Sequence, residues 1–270
     1  MELRQDWHIH TTRSPCALAE NTIPNILARL HEHGIVAGGL TDHVDAPRQQ
    51  DRFAKVAREH RDTIRANNGA CALLVGVEAT MIDPATCAVG PQLARILDYV
   101  VVACNHYHLD IVERPADTTP AAYADHYLDM ILGACALGYA DVIAHPFLNM
   151  KCGAPFADAT LACYDEAKLL QVLDAAARAG VAIELNPYSV RRAIEWFRDL
   201  VQEGRIKGCR FALGSDSHDL VRLGYLPYGD DLSPRETCHA IGLLEDDLAW
   251  LGGTEARNVK AKPISEQKTA

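Results

Sequence analysis

The chain has 270 residues, 49% of them hydrophobic, and a formal net charge of -10. This content supports a full core and excludes a mainly disordered chain, and the length suits one large α/β domain. The acidic surface repels polyanions, which argues against a nucleic-acid or membrane partner, and no apolar run reaches the ~18 residues of a membrane span.

In chain order, short strand-like runs alternate with helical patterns. "LRQDWHIH" is the first strand. "ENTIPNILARLHEHG" follows as a helix, with Ile23, Ile26, Leu27 and Leu30 on one face and Gly34 as its stop. The strand "VAGGLTDH" leads to the long polar-faced helix "DRFAKVAREHRDTIRANNG". Next come the strands "CALLVGVEA" and "LDYVVVACNH", then the helix "AAYADHYLDMILGACALGY". "ADVIAHP", "GVAIELNP" and "CRFALGSDSH" are strands, separated by the helices "YDEAKLLQVLDAAARAG" and "RRAIEWFRDLVQEG". "SPRETCHAIGLL" opens with Ser as N-cap, Pro at the first position and Glu at the third. The alternation predicts parallel strands in a barrel of seven or eight units, with an open doubly wound sheet as the alternative. No linker divides the chain: residues 1–253 form one domain, and the polar stretch 254–270 is a loosely attached tail. No secretion signal is expected from "MELRQDWHIH", which has no apolar stretch after a basic start. The nine cysteines are scattered without a C-x-x-C pair. Both features are expected of a cytoplasmic protein with reduced thiols, most of them core filler.

The chemistry sits at the strand ends. The first strand ends in His8 and His10, the second in Asp42 and His43, the third in Glu78. The fourth ends in His106, with His108 beyond it, and the fifth in His145. The sixth ends in Glu184 and Asn186, the seventh in Asp216 and His218. In parallel α/β folds the C-terminal strand ends share one face, so these residues converge. Of twelve histidines, His31, His33, His60, His126 and His239 fall in helices and read as surface or cap residues. The other seven all lie at strand ends, which chance scatter does not explain. Imidazoles and carboxylates buried together call for a cation, and the mixture suits zinc, iron or manganese.

The motifs "DWHIHTT", "GLTDH", "GVEA", "IAHP" and "GSDSH", in this order over residues 6–219, resemble those of the PHP (polymerase and histidinol phosphatase) superfamily. The resemblance implies a distorted (β/α)7 TIM-like barrel and a phosphoesterase with two or three divalent ions and a metal-bridging hydroxide. Carried onto this sequence, it implies a first metal on His8, His10, Glu78 and Asp216. A second would share Glu78 and add His106 and His145. A third would take His43 and His218 with a ligand from the loop after His10. Some relatives have histidine at that place, and this chain offers Cys16. Asp6 is expected to hydrogen-bond an imidazole from behind. Asp42 and Glu184 are expected to be structural.

Under this reading Glu78 bridges two metals, and His218 or His108 supplies the leaving group's proton. A metal-bound His218 would not be free to do so. Arg13, Lys151 and Arg192 are candidate phosphate clamps with Asn186 beside them, and Arg13, three residues after the H-x-H strand, ranks first. The absence of a basic track points to small phosphomonoesters, histidinol-phosphate-like or nucleotide-like. Two alternatives stand beside it. One is an amidohydrolase-type metal hydrolase of C–N or C–O bonds, which often bridges its metals with a carboxylated lysine where this chain has Glu78. The other is a non-catalytic metal-binding module.

Overall fold

The computed structural model describes residues 1–67, 71–148, 153–226 and 232–251. The tail from residue 254 lies outside them. The first parallel strand is β1 (Gln5–Ile9). The second is broken into β2 (Ala37–Leu40) and β3 (His43–Val44), and the third into β4 (Ala72–Val75) and β5 (Glu78–Asp83). β6 (Thr86–Cys87) returns antiparallel to β5. β7 (Val101–Ala103), β8 (Val142–Ala144), β9 (Ala182–Leu185) and β10 (Phe211–Leu213) complete the set. The pairing order is β1-β2-β4, continued through the chain breaks as β3-β5-β7-β8-β9-β10. The segment after β10 then meets β1 through an isolated parallel bridge, Ile9 to Ser217, with the His10 N–H donating to Ser217 O at 3.0 Å. The result is the distorted (β/α)7 barrel, with one isolated bridge and no regular ladder across the seam between β10 and β1.

Nine described helices follow the strands. They are α1 (Ile23–Glu32), α2 (Gln50–Asn67), α3 (Pro91–Ala94), α4 (Pro120–Ala136), α5 (Ala154–Leu161), α6 (Glu166–Ala179), α7 (Pro187–Val190), α8 (Ile194–Lys207) and α9 (Pro234–Ala240). In α1, Ile23, Ile26, Leu27 and Leu30 are buried as their spacing predicts, and the chain leaves through Gly34 at φ 72°. α9 is closed by the capping box of Ser233 and Glu236.

The strand faces divide by size. Outward residues such as Ile9, Val102, Ile143, Ile183 and Phe211 join the helices in one large cluster. The interior is lined by Ala37, Ala103, Ala144, Ala182 and Ala212 around two large rings, Trp7 and Tyr99. A seven-stranded barrel is narrow, and these small side chains leave room for the rings. Trp7 and Tyr99 meet edge-on, with centroids 6.1 Å apart.

The structure departs from the sequence expectation at several elements: the second strand breaks before His43, which opens β3, and α3, α5 and α7 are additional short helices. The third strand does not end at Glu78: it breaks at Gly76 and Val77 and resumes, so Glu78 opens β5. Tyr99 packs directly against Gly39 and Gly76, which explains why neither can carry a side chain. The helix expected from Arg191 starts at Ile194, because a 3-10 turn, Arg191–Ala193, joins it to α7.

Candidate metal centre

Glu78 is fully buried, and five imidazoles surround its carboxylate. Oε1 lies 2.9 Å from His145 Nε2 and 3.3 Å from His106 Nε2. Oε2 lies 2.9 Å from His43 Nδ1 and 3.4 Å from the Nε2 atoms of both His8 and His10. On the far side of β1, Asp216 Oδ1 stands 3.2 Å from His10 Nε2 and 3.6 Å from His8 Nε2. Two of the residues that reach in do so with strained backbones, His145 at φ 28° and Asp216 at φ 50°. Non-glycine residues rarely adopt such angles, and they concentrate at functional sites.

Four sets of potential ligand atoms lie within 4.8 Å of one another: His8, His10, Glu78 and Asp216; Glu78, His106 and His145; His10, His43 and His218; and His43, Asp45 and His106. The first two are the sets expected from the sequence. The third differs, because His10 joins His43 and His218 where Cys16 was expected. Cys16 is exposed on the loop after β1, beside the imidazoles of His218 and His43. Burial raises its thiol, but those two imidazoles outweigh burial and bring it down to about 6.

The imidazoles are oriented from behind. His8 Nδ1 donates to Glu184 Oε2 at 2.9 Å, and the same oxygen accepts the His145 N–H at 3.0 Å. His10 Nδ1 lies 2.9 Å from Ser14 Oγ, whose hydroxyl donates to Asp42 Oδ1 at 2.7 Å. His106 Nδ1 lies 2.8 Å from Thr80 Oγ1, which donates to Asp45 Oδ1 at 2.7 Å. His218 Nδ1 donates to its neighbour Asp216 O at 2.9 Å. These partners place the proton on Nδ1 in all four rings and leave the Nε2 lone pairs for the cluster.

Electrostatics agrees. Burial raises the Glu78 carboxyl, but His43, His8 and His106 outweigh it and hold it ionised, well below the usual range. Burial lowers His8, but Glu184, Glu78 and Asp216 outweigh it and raise this imidazole well above its usual value. His10 is brought down to about 4 by burial, despite its hydrogen bond to Asp216. Carboxylates that hold protons on imidazoles would hold a divalent cation in their place, so binding a metal releases protons. The donor set passes a further test of fit: His43 Nδ1 and Glu78 Oε2 are buried and, although 2.9 Å apart, make no hydrogen bond with each other or with any other described group. Buried polar atoms need partners, and a cation between such groups supplies one.

Other expected residues fall as follows. Asp6 does not touch an imidazole: its Oδ1 accepts the backbone N–H of Ser215 at 2.9 Å and of His8 at 3.3 Å. The β1 register shifts between Asp6 and Ile9, and the carboxylate instead ties β1 to the exit of β10. Asp42 accepts four bonds, from Thr11 N and Oγ1, Ser14 Oγ and His60 Nε2. His60, expected at the surface, is buried behind Asp42, and His126 is half-buried against the Tyr107 hydroxyl. Asn186 caps α7 with Oδ1 and donates Nδ2 to Ser215 O at 3.1 Å. His108 is exposed, its ring 5.2 Å from that of His106. Arg13 lines a cleft beside His43 and pairs with Glu59 at 2.6 Å. Arg192 pairs with Asp158 at 3.3 Å, and Lys151 lies outside the described residues. Asp45, Ser14 and Thr80 were missed by the sequence reading. A signal existed for two of them: Asp45 follows His43 and Thr80 follows Glu78 at the i+2 spacing that shares a strand face.

Residues 6–188 match the PHP domain family. A histidinol phosphate phosphatase from Lactococcus lactis, solved with zinc, L-histidinol and phosphate, superposes with TM-score 0.58 and 17% identity, covering 88% of this chain and 92% of that one. A Listeria monocytogenes protein described as a histidinol phosphatase gives TM-score 0.54 and 11% identity, covering 80% of this chain and 96% of that one. At these identities the superpositions show a shared fold. No curated protein matches the sequence.

Proposed function

This chain belongs to the PHP domain family, and from that premise we propose that it is a metal-dependent phosphoesterase acting on small phosphomonoesters. The observation that carries the proposal is one buried carboxylate, Glu78, with five imidazole nitrogens at 2.9 to 3.4 Å. His8, His10, Glu78 and Asp216 would hold one divalent ion, and Glu78, His106 and His145 a second. His43 and His218, with His10 or Cys16, would hold a third. Zinc, iron and manganese all suit this donor set. When bound, such ions activate water near neutral pH and offset charge on the phosphoryl oxygens.

The chain's own residues do the rest. Glu78 and Asp216 supply the fixed negative charge. Glu184, Ser14 and Thr80 hold the imidazoles in the ligating tautomer. Exposed His108, its ring 5.2 Å from that of His106, would protonate the leaving-group oxygen. Arg13, which lines the cleft beside His43, would hold an anionic group of the ester. Among the described residues, no helix is long and apolar enough to cross a membrane.

A substrate panel tests this reading. The purified, metal-replete protein is expected to release phosphate from phosphomonoesters and to leave amides and lactones intact. Turnover confined to the amide and lactone panel would move it to the amidohydrolase-type chemistry. Silence on every substrate at full metal content would leave a non-catalytic metal module.

A further inference from the structure

A cleft of ≈ 170 Å³ opens directly beside the metal centre, between the loop after β1 and the start of α2. His43 and Asp45 belong to both the cleft and the ligand sets. Its remaining wall is made of Asp42, Arg13, Gln49, Arg52 and the apolar side chains Pro15, Phe53 and Val56. Whatever part of an ester lies next to the reacting phosphoryl group, on this side, occupies that cleft.

The open polar groups of the wall are donors. Arg52 is exposed and makes no ion pair with any described residue. Arg13 is paired only with Glu59, and both side chains are about half exposed, so a ligand anion can replace Glu59 at little cost. Gln49 spends its Oε1 on the N–H groups of Asp45 and Ala46, at 2.6 and 3.0 Å, which leaves its Nε2 hydrogens to donate. The carboxylate of Asp42, also in the wall, is filled by its four donors. Asp45 Oδ1 takes the Thr80 hydroxyl, and this carboxylate groups with His43 and His106 on the metal side.

We propose that this cleft is the leaving-group subsite and selects phosphomonoesters whose remaining part carries a second anionic group, a carboxylate or a phosphate. Two guanidinium forks and an amide match such an anion, and Phe53 and Val56 cover a short apolar stretch beside it. A cationic leaving group, such as an amino alcohol, would face the same two guanidinium groups and is disfavoured. The inference rests on the phosphoesterase reading and narrows its substrate class.

The test measures kcat/KM on four esters: 3-phosphoglycerate, fructose 1,6-bisphosphate, L-histidinol phosphate and p-nitrophenyl phosphate. The wild-type protein is expected to favour the better of the first two over L-histidinol phosphate by at least ~10-fold, the value of one charge-assisted contact. Arg52→Ala is expected to erase most of that advantage relative to p-nitrophenyl phosphate, chiefly through KM. Arg52→Lys, which keeps the charge, should restore part of it. A larger loss on 3-phosphoglycerate assigns a carboxylate, and a larger loss on the bisphosphate assigns a phosphate. Turnover of p-nitrophenyl phosphate with no preference for the anionic esters, or a preference that Arg52→Ala leaves intact, overturns the subsite and leaves the phosphoesterase standing. No turnover of any ester overturns both.

Discussion

Replacing Glu78 with alanine is expected to lower phosphate release by at least about 10²–10³-fold, the scale of removing one oriented electrostatic group from a dry site. Metal content should fall with it. Glu78 is the only residue shared by the two ligand sets expected from the sequence, and its two oxygens face different imidazoles. Glu78→Gln keeps the volume, so a similar loss in that variant assigns the effect to charge rather than to a cavity. Elemental analysis of both variants, alongside kcat/KM, separates ligand loss from misfolding. Phosphate release at wild-type rates from Glu78→Ala would remove the bridging carboxylate from the mechanism.

The second large effect concerns stability. A Cβ added at Gly39 would lie 1.8 Å from the Tyr99 hydroxyl oxygen and 2.4 Å from the ring carbon that bears it. Tyr99 is buried in the barrel interior and donates its hydroxyl to Trp7 O at 2.8 Å. Gly39→Ala therefore forces the ring to move, with loss of that bond and of its edge contact with Trp7. Overpacking costs about 1–3 kcal/mol and a lost hydrogen bond about 1 kcal/mol more. At this chain length that lowers Tm by roughly 5–15 °C. Melting must be compared at fixed metal concentration, since bound ions add stability of their own. Tyr99→Phe in the same chain removes the closest clash and should recover part of the loss. An unchanged Tm for Gly39→Ala would mean that Tyr99 is not wedged between β2 and β4.

How much of this could be read from the sequence follows from where each signal is local. His8 and His10 share a strand face, and the parallel topology brings His106, His145 and Asp216 to the same end of the barrel, so those positions were legible. The break before Glu78 was not: it falls at Gly76, against which Tyr99 packs, a contact between distant positions. Asp6 misled for a related reason: alternation in β1 predicts that it follows His8, but the register shift turns its carboxylate toward Ser215. His60 read as a surface residue because α2 is mostly polar, and only its packing against Asp42 makes it internal. Ser14 gives no signal, since a hydroxyl becomes a histidine's partner only when folding sets it 2.9 Å from an imidazole nitrogen. Cys16 illustrates the same limit. Its place in the loop was readable, but the sequence did not show that His10 would group with His43 and His218.

The central claim is that these residues form a metal-dependent phosphoester hydrolase. Its most direct test is to strip the purified protein with a chelator and follow phosphate release while zinc, manganese or iron(II) is titrated back. The stripped protein is expected to be silent, and turnover should return only as at least two equivalents of metal are bound. Full turnover by protein shown to be metal-free would contradict the account.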